Sequence, residues 1–487
     1  MDEESLKISL IHNNGDFDEF SGDLPAIEGW RGLLKASLEE SKKLWYLAGP
    51  AIFTSLCRYS LGVITQAFAG HIGNLELAAV SIENSVIAGF SMGIMIGMAS
   101  ALETLCGQAF GAKQLGMLGV YTQRSWVILM TTALLLSSIY VWATPILKLV
   151  GQDDEIAELA GKFAVWMIPQ LFAYASVFPL ARFLQAQSKV LVMAMVAGGA
   201  LIVHAVFSWL VIFKWGCGLW GAALMLNISW WIVVFSQLAY VLSGSCKEAW
   251  GGFSWAAFHN LGAFIRLSLA SGVMLCLELW YLYILILLAG YLKNPSISVD
   301  AISICMNLMG WETMVALGFN IAISVRVSNE LGAGHPRAAR FAVINVLGTM
   351  FAIGAILMAV ILITRNDFAV AFTNSDEVMK AVSNLATLLA ITMLLNSIQP
   401  VLGGVAVGAG WQALVAYINI ACYYMFGVPL GCLLGYYFDF GVKGIWAGMI
   451  CGTTFQTIIL CIITFRTKWK KEASQAIERI KVWGGHN

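Results

Sequence analysis

The sequence predicts an all-α polytopic membrane protein. It reads as twelve transmembrane helices in two six-helix lobes, related by a pseudo-two-fold axis along the membrane normal. Three observations carry that expectation. The 487 residues are 59% hydrophobic and only 11% charged, with mean hydropathy +0.78, whereas a soluble domain carries about 25% charged residues. Twelve apolar runs are each long enough to cross a hydrocarbon core of about 30 Å as a helix. And the second half of the chain repeats landmarks of the first.

Taken in order, residues 1–28 are polar and acid-rich and lack an apolar h-region, so they read as a disordered tail and not a cleaved leader. Trp30 to Lys43 has the pattern of a short amphipathic helix on the membrane surface. The twelve spans follow at 44–70, 77–102, 118–143, 157–182, 190–213, 218–242, 261–291, 298–324, 341–363, 378–404, 412–435 and 442–465. Most connections are short. The longest interior ones are 243–260, at the middle of the chain, and 325–340. The organisation expected is a tail over 1–43, an N-terminal lobe over 44–242, a linker over 243–260, a C-terminal lobe over 261–465 and an amphipathic tail over 466–487. In that last stretch Trp469, Ala473, Ile477, Ile480 and Trp483 recur at helical spacing among Lys and Arg, the pattern of a helix lying flat on the membrane.

Orientation follows from the basic residues. Of the 28 Lys and Arg, 20 fall on the side of the N-terminus, 7 fall opposite, and Arg58 lies inside the first span. Both termini are therefore expected in the cytosol. The repeat is seen in Ala69-Gly70 against Ala289-Gly290, Gly111-Ala112 against Gly332-Ala333, and Gly218 against Gly444, at offsets of 220, 221 and 226 residues. Each offset spans six helices. Six is even, so both halves enter from the same side and a cavity is expected between two lobes near mid-membrane.

Composition also excludes. The formal net charge is zero, which leaves no electrostatic footprint for nucleic acid. Ten cysteines occur without a CxxC pair, mostly in apolar runs, and imply neither a disulfide framework nor a zinc site. There is no GxxxxGK[ST] loop and no nucleophile–base pair, so no enzyme, cofactor or metal is expected.

The residue that stands out is Glu278, the one charge in the 25-residue run from Leu267 to Tyr291. A carboxylate at mid-membrane costs about 3 kcal/mol on insertion scales, so it must face protein or a wet cavity. A carboxyl that loads and unloads a proton there is what a proton-coupled carrier needs; the plainer reading is a structural acid. Tyr281 shares its face one turn on. Glu312, mid-span in NLMGWETMVAL, is either a second proton or ligand site or a group satisfied by neighbouring hydroxyls and amides. Arg58 is a counter-ion for a carboxylate or an anionic substrate, or it snorkels to an interface. Asn307, Gln399, Tyr417 and Asn419 are candidates to line the cavity, and Pro400 to be a hinge. Glu83 and Asn84 read as helix-contact groups, Glu103 as a cap at a cytosolic gate, and His204 as a satisfied core histidine.

The stretches TLCGQAFGA (104–112), SVRVSNELGAG (324–334) and LCLELWY (275–281), with AFAGHIG (67–73), AVSIENSV (79–86) and QPVLGGVAVGAGWQ (399–412), closely resemble the plant members of the multidrug and toxic compound extrusion (MATE) family. The resemblance runs over roughly 40–470 and points to the clade that includes tonoplast carriers. It implies two lobes about a V-shaped cleft and export of organic solutes in exchange for protons or sodium. It also implies that Glu278 matches the coupling acid of the seventh helix in eukaryotic members. Many plant members carry a second acid in an L-D-S-like stretch of the tenth helix. Here the stretch reads Leu395-Asn396-Ser397, and an amide cannot titrate, so Asn396 is left to hydrogen-bond Glu278 or a substrate. Prokaryotic members place an Asp late in the first helix, where this chain has Thr65 and Gln66; coupling is therefore expected in the C-terminal lobe.

The expected function is export of small organic solutes, flavonoid-like or other xenobiotic and secondary metabolites, by proton antiport with alternating access. Sodium is the less favoured ion, since no cluster of convergent oxygens is readable. A monomer in the vacuolar membrane is favoured, with the plasma membrane as the other location. The alternative is an anion channel or uniporter on the same scaffold, with Arg58 on its path.

Overall fold

The computed structural model describes residues 22–25, 27, 29–259, 261–289, 295–373 and 375–483. Among them the chain is helical throughout its regular structure. The spans are α1 (Gly29–Ile72), α2 (Asn74–Gly111), α3 (Gly116–Val141), α4 (Asp154–Trp166 and Ile168–Ala186), α5 (Val190–Lys214), α6 (Gly218–Ser245), α7 (Leu261–Ala289), α8 (Pro295–Gly332), α9 (Pro336–Ile363), α10 (Asp376–Ala409), α11 (Gln412–Tyr437) and α12 (Gly441–Arg466). A final helix, α13 (Trp469–Val482), follows. All twelve expected spans are present. The fourth is bent by 49° between its two segments, with Pro169 at the second position of the outer one, where its missing N–H costs nothing. The outside of the bundle is apolar: Leu134, Leu135, Ile202 and Ile356 are 64–69% exposed. In a bilayer that surface meets lipid, and helices associate through close packing and internal polar contacts instead of hydrophobic exclusion.

Three boundaries differ from expectation, and each for the same reason. Residues 30–43 do not form a separate surface helix. They continue into the first span as one helix, because their polar face is spent on the other half of the chain. Arg326 pairs with Glu40 through two bonds of 2.8 and 3.1 Å, and Asn345 bonds Ser37 and Ser41 at 3.0 Å. Residues 325–332 are not loop: α8 runs on to Gly332, since Arg326 also reaches Glu330 at 2.6 Å and Asn329 donates to the Ala186 carbonyl at 3.2 Å. Finally, α13 does not lie on lipid. Trp469, Ala473, Ala476, Ile480 and Trp483 are buried against the bundle, and Ile477 is half-buried.

All even-numbered spans end, and all odd ones begin, on the face that carries both tails. The two halves are bolted together there. A Cβ on Gly97 of α2 would lie 2.6 Å from the Gly272 Cα of α7, and Gly318 of α8 abuts Ile52 and the Ala48 carbonyl of α1. Gly107 and Gly111 pack with equal closeness on Ser328 and Asn329. Only glycine permits such crossings. Polar contacts complete the closure. Gln108 donates to the Gly408 carbonyl at 3.2 Å and Gln412 donates to Thr104 at 2.7 Å, while Arg182 pairs with Glu103 at 2.9 Å within the N-terminal half. Arg479 of α13 donates to Gln108 at 2.9 Å and to the Ala409 carbonyl at 3.4 Å. Burial holds the Arg479 guanidinium below its ordinary range, offset in part by Glu472. Trp483 packs edge-on to Phe264, with Arg124 over its ring at 5.9 Å. In this state the tail face is shut.

Candidate coupling site

Glu278 sits on α7 and faces α10, α11 and α12. Its Oε1 accepts from Asn419 Nδ2 at 3.2 Å. Asn419 is fully buried, donates also to the Met274 carbonyl at 3.4 Å, and is held from behind by Gln456 Nε2, 3.2 Å from its Oδ1. Gln399 lies beside the Glu278 carboxyl, and its own Nε2 is buried without a hydrogen-bond partner. Among the described residues no cation pairs with Glu278. The helix bearing Asn419 loosens just after it: residues Ile420–Gly427 are wound as π-helix. An i→i+5 turn widens the helix and recurs at functional sites.

Glu312 of α8, 5% exposed, meets the same tenth helix at Ser397, two residues before Gln399. Its Oε1 accepts from Ser397 at 3.0 Å, and its Oε2 is buried without a partner. Asn396 lies within hydrogen-bonding reach of Glu312. The structure thus places Asn396 at Glu312 and not at Glu278. One turn of α10 serves both acids: Asn396 and Ser397 toward Glu312, Gln399 toward Glu278. Pro400 sits inside that helix. Its ring removes the N–H that would have bonded the Asn396 carbonyl four residues back. Its own carbonyl accepts from Asn320 of α8 at 2.6 Å. The proline therefore both frees an acceptor beside Glu312 and ties α10 to α8.

Tyr281 stacks on Tyr423, with ring centroids 4.2 Å apart, and spends its hydroxyl proton on the Met449 carbonyl at 2.8 Å. It does not bond Glu278, though it shares that neighbourhood. With Asn396, Thr392, Trp446, Met449 and Thr453 it lines a cavity of ≈ 30 Å³. A space of that size holds a water or two, whereas ligand pockets run to several hundred Å³. An organic solute needs a wider opening than this cavity.

Two expected lining residues are not brought here. Tyr417 is 73% exposed. It is two positions from Asn419, about 200° around the helix, so it points away from Glu278. Asn307 is exposed and donates back to the Ser303 carbonyl at 3.0 Å; five positions from Glu312, it lies about 140° off that face. In the N-terminal lobe, both His204 ring nitrogens are engaged, by Thr65 at 3.1 Å and Ser229 at 2.9 Å, the satisfied core histidine expected. Arg58 neither snorkels nor meets a carboxylate: its Nε and Nη2 are buried without partners. Glu83 is 2% exposed with one oxygen unpartnered, at the start of a π turn (Glu83–Ala88). Sequence reasoning passed over Ser397, Tyr423 and Gln456. The signal for Gln456 was a lone amide in an apolar span.

Comparison with known proteins agrees with this architecture. A family profile described as MatE matches residues 50–210 and 270–433. Protein DETOXIFICATION 31 of Arabidopsis thaliana is 58% identical over 469 residues, 96% of this chain and 90% of that one. Protein DETOXIFICATION 33 of the same plant is 58% identical and covers 96% of each chain. Among solved structures, the crystal structure of the eukaryotic MATE transporter AtDTX14 superposes with a TM-score of 0.87 at 38% identity, over 91% of this chain and 99% of that one. The Vibrio cholerae MATE transporter VcmN, at 17% identity and TM-score 0.77 over 92% and 99%, shares the fold. Matched across most of its length by the profile, these relatives and these structures, the chain belongs to the MATE family of membrane transporters.

Proposed function

We propose that this transporter exports organic solutes from the cytosol by proton antiport, with Glu278 as the proton-carrying group. The tail face is the cytosolic face in this reading, consistent with the 20 basic residues it gathers. The observation that carries the proposal is the setting of Glu278: a carboxyl inside a membrane-spanning helix, set among amides and, among the described residues, paired with no cation. Amides suit both protonation states. An amide offers N–H to a carboxylate and C=O to a neutral acid, and Gln399, with Nε2 unpartnered, is free to turn.

In the state shut toward the tails, Glu278 takes a proton from the opposite, acidic side. Its hydrogen bonds reverse, the α10–α11 face repacks around Pro400 and the π-wound segment, and solute leaves. When the tail face opens, Glu278 releases its proton to the cytosol and solute binds again. Coupling is the difference in solute affinity between the two protonation states. Glu312 is the second candidate proton site, poised against Ser397. The vacuolar membrane, whose lumen is acidic, is the favoured location, and the relatives' printed name, DETOXIFICATION, fits removal of foreign or secondary compounds. The test is solute flux in proteoliposomes under an imposed pH gradient, with a flavonoid glycoside, an organic cation and chloride side by side. Solute movement that needs the gradient and is lost in Glu278→Gln supports the reading; undiminished gradient-driven flux in Glu278→Gln sinks it.

A further inference from the structure

Arg58 is a cation in the middle of α1, fourteen residues from the end of that helix. In a membrane-spanning helix such a group is costly unless an anion or a set of acceptors meets it. Here Nε and Nη2 are both buried, and neither has a hydrogen-bond partner. The electrostatic neighbours of the guanidinium are Cys57, Tyr174 and a second guanidinium, Arg182. Arg182 is already satisfied by Glu103 at 2.9 Å and Gln185 at 2.8 Å. Glu83 acts on Tyr174 but is not among the electrostatic neighbours of Arg58. The residue as a whole is half-buried, so its side chain borders accessible space although Nε and Nη2 are covered. The position is also the counterpart of Glu278, at the 220-residue offset that relates Gly70 to Gly290.

We propose that Arg58 is the seat of an anion subsite in the N-terminal lobe, and that the transported solute is held there by an anionic group, such as a carboxylate or phenolate. The planar fork of a guanidinium presents paired N–H donors that fit two oxygens of one carboxylate. Nε and Nη2, the two unpartnered nitrogens, form one edge of that fork. A free inorganic anion satisfies the same donors, and the test separates the two sources. The inference deepens the exporter reading and rests on it for the claim that the anion is cargo.

The experiment is thermal stabilisation of the purified full-length protein in nanodiscs by sodium benzoate, by the neutral benzamide, and by sodium chloride against sodium gluconate. Benzoate is expected to stabilise the wild type with an apparent affinity at least tenfold better than benzamide. Arg58→Gln is expected to lose that preference, and Arg58→Lys, which keeps the charge but not the fork, to recover part of it. Glu278→Gln is expected to keep it, so loss of proton coupling and loss of the anion seat are read independently. Chloride stabilisation that needs Arg58, with no effect of benzoate, keeps the seat but overturns the solute assignment in favour of the inorganic ion. Equal binding of benzoate and benzamide with no chloride effect, or wild-type benzoate binding in a monodisperse Arg58→Gln, overturns the proposal.

Discussion

The two lobes carry opposite charges at matched depth. The N-terminal lobe has Arg58 on its first helix, and the C-terminal lobe has Glu278 on the helix that repeats it. At the offset of 221 residues that pairs Gly111 with Gly332, Glu312 of α8 corresponds to Ser91 of α2, a buried hydroxyl without a partner. The scaffolds agree where helices must cross and differ where chemistry is done. In the C-terminal lobe the acids meet amides and hydroxyls that serve either protonation state. In the N-terminal lobe Nε and Nη2 of Arg58 meet no hydrogen-bond partner among the described residues. Under the two proposals above, the difference amounts to a division of labour, with the proton in one lobe and the charge of the solute in the other.

The largest way to break this comparison is to make the lobes alike. Arg58→Glu places an acid in both, and flux of an anionic solute in proteoliposomes is expected to fall more than 100-fold; two good charge-assisted hydrogen bonds replaced by repulsion are worth about 3 kcal/mol or more. Glu312→Gln tests the second acid of the C-terminal lobe. Proton-driven flux is expected to fall about tenfold, the scale of one lost charged contact, with benzoate stabilisation unchanged. Two buried amides, one in each lobe, sharpen the contrast further. Asn419 bonds Glu278, and Asn227 bonds the Trp166 and Ala223 carbonyls in the other lobe at 2.9 Å each. Asn419→Ala and Asn227→Ala are each expected to cost about 1–3 kcal/mol of stability by leaving buried groups unpaired. Thermal unfolding in nanodiscs measures that cost, and only Asn419→Ala is expected to weaken solute-driven proton movement as well. The smallest effect belongs to Tyr417→Phe, on the outward side of α11: flux within twofold of wild type.

Much of this was legible in the sequence. Twelve spans follow from runs of apolar residues, because a bilayer admits little else, and Glu278 stands out as a lone charge in such a run. The tail-face extensions were hidden for the complementary reason. Glu40, Arg326 and Asn329 look like solvent-facing loop residues, yet Arg326 pairs with Glu40 and Asn329 donates to the Ala186 carbonyl across the lobes, the first a pairing between positions 286 apart that no local pattern announces. The docking of α13 was misread because an apolar stripe has the same spacing whether it meets lipid or protein. Tyr417 and Asn419 are both polar residues of α11, yet about 200° of helix separates them, which residue type alone does not reveal. Gln399 and Asn419 were candidates from polarity alone, and only the packing of four helices set them around one carboxyl.

The central claim is that one titrating carboxyl links proton to solute, and coupling of that kind is reciprocal. The direct measurement loads proteoliposomes with an anionic flavonoid glycoside, imposes no pH gradient, and follows internal pH with an entrapped dye as solute runs down its own gradient. The account predicts that protons enter the wild-type vesicles as solute leaves, so the interior acidifies, while Glu278→Gln leaves internal pH unchanged. Solute flux without proton movement in the wild type, or equal proton movement in Glu278→Gln, would contradict it.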